Sequence, residues 1–123
     1  MSVGRRFGLA AAAAFVTACS ASESTAPAVV DTFGGSPTAL SVDVVMPDNN
    51  VFNPNNISIA AGGVVRFIFP STPHDVRFGG NASAPADIFA TQNVTVVRTF
   101  TVKGTFAFVC TLHDNMAGKV IVN

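Results

Sequence analysis

The chain has 123 residues, 49% of them hydrophobic and 11% charged, with seven basic and seven acidic side chains. This length holds one packed domain, and a composition this apolar excludes disorder along its whole course. From Leu40 onward Arg66, Arg77, Arg98, Lys103 and Lys119 face Asp43, Asp48, Asp75, Asp87 and Asp114. That balance leaves no basic stripe for a phosphate backbone and argues against nucleic acid as a partner.

The opening "MSVGRRFGLAAAAAFVTACSAS" places Arg5 and Arg6 before an apolar run from Phe7 to Ala18. A bilayer span needs about 20 apolar residues, so the run is too short to cross and suits a signal peptide over residues 1–18. It ends in Val16-Thr17-Ala18-Cys19, which resembles a bacterial lipobox. The resemblance implies lipidation of Cys19 and a protein held by a lipid anchor on the periplasmic side of the cell envelope. The plainer alternative is ordinary cleavage, an incidental Cys19 and a soluble periplasmic or secreted protein. Residues 19–39 then form the lipidated cysteine and a flexible linker, because "SASESTAPAVVDTFGGSPTA" is rich in small residues and has no apolar periodicity.

Residues 40–123 read as strands. "LSVDVVM" alternates Leu40, Val42 and Val44 against Ser41 and Asp43, and "ISIAAGGVVRFIF" reads as strand, Gly62-Gly63 turn, strand. "HDVRF", "NVTVVRTFTV", "TFAFVC" and "GKVIV" follow, with "APADIFA" as one short helical turn. Seven or eight strands rich in β-branched residues and Phe predict an all-β domain, an antiparallel sandwich or barrel. Eleven Phe with no Trp or Tyr supply core volume without a polar handle.

The chemistry lies in two places. His74 sits in "STPHDV" between strands, and Cys110, His113 and Met116 follow at intervals of three in "VCTLHDNMAGKVIVN". Loops at one end of a sandwich cluster, so the two segments can meet. Two imidazoles and a thiolate, with a thioether as a weaker fourth donor, suit copper. Zinc has no use for the methionine, and calcium and magnesium take oxygen donors. Taken singly, each residue has a plainer role: Met116 as core filler, Cys110 as a buried thiol or a disulfide partner of Cys19, His74 as a turn residue. Taken together at this spacing, they form a copper site.

The domain resembles the cupredoxins, the small blue copper proteins. The likeness runs through "VFNPNNISIAAGGVVRFIF", "PHDV" and "FVCTLHDNMAGKVIV" and covers almost all of Leu40 to Asn123. It implies a Greek-key sandwich, His74, Cys110, His113 and Met116 as ligands of one Cu(II)/Cu(I) ion, and electron transfer as the function. It also implies His113 as the surface port for electrons and an apolar rim of Leu112, Ala117 and Pro73 for brief docking with redox donor and acceptor proteins; from its size alone the chain is expected to be a monomer. The Pro73 carbonyl is expected to face the metal from the side opposite Met116. Relatives usually carry Asn after the first histidine to tie the ligand loops, whereas this chain has Asp75. A carboxylate there can accept from Thr111 and places a negative charge near the metal. Both histidines of the chain are used by one site, so no second histidine-built copper centre is available and the protein reads as a carrier, not an enzyme. A copper storage or delivery protein of the periplasm is the alternative.

Overall fold

In the computed structural model, residues 32–123 are described; the expected signal peptide, Cys19 and the first part of the expected linker lie outside them. Nine strands follow one another among the described residues, with no helix. They are β1 (Phe33–Gly35), β2 (Ser41–Val45), β3 (Asn56–Ile59), β4 (Gly63–Phe69), β5 (His74–Val76), β6 (Ile88–Thr91), β7 (Val94–Phe100), β8 (Gly104–Val109) and β9 (Ala117–Val122). One sheet has the order β1-β3-β9-β8, a second β2-β4-β7, and β5 and β6 pair as a short ribbon.

Alternation decides which face each strand buries. In β2, Val42 and Val44 point inward and Ser41 and Asp43 outward; in β4, Val65, Phe67 and Phe69 are buried while Arg66 is exposed. Ile57 and Ile59 of β3, Phe106 and Phe108 of β8, and Val120 and Val122 of β9 supply the opposing layer. The Phe108 ring is the hub of this interior. Phe52, Phe67 and Phe78 meet it edge-on, at centroid distances of 4.8, 5.5 and 6.1 Å, the arrangement that ring quadrupoles favour.

Three details differ from the sequence expectation. The folded unit starts before Leu40: β1, inside the expected linker, pairs in parallel with β3. Its glycines fit tightly, because a Cβ on Gly35 would lie 2.2 Å from the Ser58 carbonyl oxygen, at a backbone φ of +81°. Residues that looked like flexible spacer are small because the sheet approaches closely there. The expected helical turn at "APADIFA" gives way to β6, whose pairing with β5 is a tertiary contact that local sequence does not report. Strands β3 and β4 flank a turn as expected, and that turn carries the chain from one sheet to the other. The sheets are therefore mixed rather than antiparallel: β1·β3, β2·β4 and β3·β9 are parallel, and β4·β7, β5·β6 and β8·β9 antiparallel. A parallel pair needs an intervening crossover, here provided by strands of the facing sheet.

Candidate metal centre

The β8–β9 hairpin carries three of the candidate ligands on one loop. Its ladder ends at the Val109–Ala117 pair, and one further bond, from the Cys110 N–H to the Met116 carbonyl at 2.9 Å, closes the loop beyond it. Asn115, at a φ of +60°, makes the tight return; asparagine tolerates this left-handed region better than most residues. Cys110 and Met116 are buried neighbours at the base of the loop, and His113 is half-buried at its top.

His74 arrives from β5, which docks on the same hairpin. Arg77 and Val109 form an antiparallel bridge with both backbone bonds made, at 2.9 and 3.0 Å. Two residues back along β5 and two forward from Val109, Asp75 meets Thr111. The Thr111 N–H donates to Asp75 Oδ1 at 2.6 Å and its hydroxyl donates to Oδ2 at 2.5 Å. This double tie holds His74 against the cysteine loop.

The three strong donors converge as a result. Cys110 Sγ lies 3.6 Å from His113 Nδ1 and 3.9 Å from His74 Nδ1, and the three ligand atoms fall within 4.8 Å of one another. Donors sharing one ion at bond lengths of about 2.0–2.3 Å sit roughly 3.5–4 Å apart, the spacing of the two sulfur–nitrogen pairs. Cys110 is a free, buried thiol, turned toward the histidines. Of the expected rim, Leu112, Ala117 and Pro73 are all exposed. A cleft of about 580 Å³ opens beside His113, lined also by Asn49, Val51 and Asp114.

Electrostatics favour metal-ready forms. Burial, and then the neighbouring His113, lower the His74 pKa below 6.5, against an opposing pull from Asp75; the neutral imidazole that a metal needs is favoured. Burial alone would raise the Asp75 carboxyl, but its bonds from the Thr111 hydroxyl and N–H and from Arg77 outweigh that and hold it below 3.8. Arg77 went unremarked in the sequence. It donates from Nε to Asp75 Oδ2 at 3.1 Å, and the available signal was its position two residues after Asp75, on the same face of a strand.

A family model described as "Copper binding proteins, plastocyanin/azurin family" matches residues 40–123. The chain belongs to this family. Among solved structures, it is 26% identical to a reduced variant of amicyanin, with a TM-score of 0.59, covering 70% of this chain and 85% of that one. A Cu(I) form of another amicyanin variant at pH 4 gives 26% identity and a TM-score of 0.58, over 69% and 82%. A copper-containing nitrite reductase (NirK) from Thermus scotoductus SA-01 is also similar, at 26% identity and a TM-score of 0.53, over 68% of this chain but 22% of that one. No curated protein matches. The protein is thus a cupredoxin, its cofactor is copper, and His74, Cys110, His113 and Met116 are the donors that fit one ion. These likenesses support a type 1 copper electron-transfer protein.

Proposed function

We propose that the protein carries single electrons between redox proteins of the bacterial cell envelope, using one type 1 copper ion. The observation that carries this reading is the convergence of two imidazoles and one thiol within 4.8 Å, with Met116 buried beside them. Copper bound there supplies a one-electron Cu(II)/Cu(I) couple. The protein's part is to hold the donors still. The closed β8–β9 loop fixes Cys110 and Met116, the Asp75–Thr111 tie fixes His74, and ligands that do not rearrange keep the barrier to electron transfer low.

Burial of His74, Cys110 and Met116 keeps water from the donors, while the half-buried ring of His113 reaches the surface. We assign His113 as the port and exposed Leu112, Ala117 and Pro73 as an apolar rim for donor and acceptor proteins. A rim of this kind suits the small interfaces of transient redox encounters. Both histidines of the chain lie in this one site, which favours a carrier over a multi-copper catalyst. The leader supports export and attachment through Cys19, with the carrier working as a monomer in the periplasm.

The test is direct: add Cu(II) to the purified protein and record its visible spectrum and voltammetry. An intense blue thiolate-to-copper band with reversible cycling is expected. Tight, colourless Cu(I) binding would favour storage or delivery instead, and an absence of both would favour a purely structural sandwich; either result would overturn the carrier reading.

A further inference from the structure

We infer that Arg77 is a positioning residue of the copper centre: it holds Asp75 as an ionised tie between the two ligand-bearing segments and offsets that carboxylate's charge at the metal. The inference rests on the copper reading for its effect on potential, but its mechanical half stands on the polypeptide alone.

Every contact of Asp75 asks for an acceptor. Oδ1 takes the Thr111 N–H, and Oδ2 takes both the Thr111 hydroxyl and Arg77 Nε. A carboxylate that only accepts is an ionised one, and this one is 1% exposed. A buried negative charge is costly unless paired. Among the described residues, Arg77 is its ion-pair partner. The charge directly follows ligand His74 in sequence and is bonded to Thr111, which directly follows Cys110. An uncompensated carboxylate there favours the more positive oxidation state of the metal, and a fixed guanidinium opposes that.

Arg77 is itself held on several sides. Its NH1 is 3.5 Å from Asp87 Oδ2, and Asp87 Oδ1 accepts the Phe78 N–H at 2.8 Å. Its Cζ lies 4.2 Å from the centroid of the Phe89 ring. Phe89 is 70% exposed, and its ring face serves as a platform for this cation. The backbone bridge to Val109 completes the clamp. A planar fork between two carboxylates and over a ring is a task for arginine that lysine does only in part.

The experiment is a double-mutant cycle on the full chain, comparing wild type, Asp75→Asn, Arg77→Gln and the double variant. Two quantities are measured: the copper reduction potential at neutral pH and the unfolding midpoint of the metal-free protein. Arg77→Gln is expected to lower the potential, Asp75→Asn to raise it, and the arginine effect to shrink to less than half its size once Asp75 is Asn. Arg77→Lys should fall between wild type and Arg77→Gln. In the metal-free protein, the midpoint drop caused by Arg77→Gln should also shrink in the Asp75→Asn background. Equal potential shifts in both backgrounds, or no shift, would overturn the charge-offset role. Independent midpoint effects would overturn the positioning role. Should Arg77→Gln fail to fold, Arg77→Lys in the two backgrounds gives the same comparison. Loss of blue copper in every protein, wild type included, would refute the carrier reading, while the metal-free cycle would still decide whether Arg77 positions Asp75.

Discussion

Asp75 reaches across 36 residues of chain to accept both the N–H and the hydroxyl of Thr111. The antiparallel offset set by the Arg77–Val109 bridge brings the pair together. Removing the hydroxyl with Thr111→Val leaves the N–H bond in place and takes one donor from a buried charge. The expected loss is about 1–2 kcal/mol of metal-free stability, read from denaturant midpoints, with Thr111→Ser close to wild type. A Val variant as stable as wild type would show that the backbone bond alone makes the tie.

The metal-free protein should lose stability as it is acidified. His74 titrates below 6.5 in the folded state and Asp75 below 3.8, so for each group the unfolded chain binds protons first. Stability contributed by either is complete above the ordinary value and declines as pH falls through the folded one. Urea midpoints should therefore drop as pH falls through and below the ordinary imidazole range because of His74, and again through and below the ordinary carboxylate range because of Asp75. His74→Gln should flatten the first step, and an unchanged slope would contradict it.

Gly118 lies against the hub of the core. A Cβ there would come within 2.6 Å of the Phe108 ring and 2.7 Å of the Asn55 carbonyl oxygen, and Phe108 is held by Phe52 and Phe67. Gly118→Ala should cost about 1–3 kcal/mol as an overpacking substitution, seen as a lower unfolding midpoint at an unchanged denaturant slope.

Met116 offers a soft thioether, which favours the cuprous ion over the cupric. Met116→Gln replaces it with a harder amide oxygen. The expected outcome is a retained blue colour with a lower reduction potential by voltammetry. A higher potential would mean that position 116 does not donate to the metal.

The strands and the ligands were readable in the sequence for different reasons. Val42, Val44, Val65 and Phe67 declare their faces by alternation, and Cys110, His113 and Met116 declare themselves because a hairpin loop makes neighbours in sequence neighbours in space. His74 could be joined to them only by the expectation that sandwich loops cluster. What sequence hid was everything decided by pairing at a distance. Strand β1 looked like linker because the close packing of its glycines depends on Ser58 and Pro54. Strand β6 depends on β5, and the parallel pairings depend on a turn that crosses between sheets. Arg77 escaped notice because a cation on a short strand has no meaning until Asp87 and Phe89 close around it.

The phenylalanine interior has one further consequence. With no indole or phenol anywhere in the chain, the rings around Phe108 provide no easily oxidised stepping stone, and the body of the barrel acts as an insulator. For the proposed carrier, this leaves the end where His113 meets solvent as the route for charge.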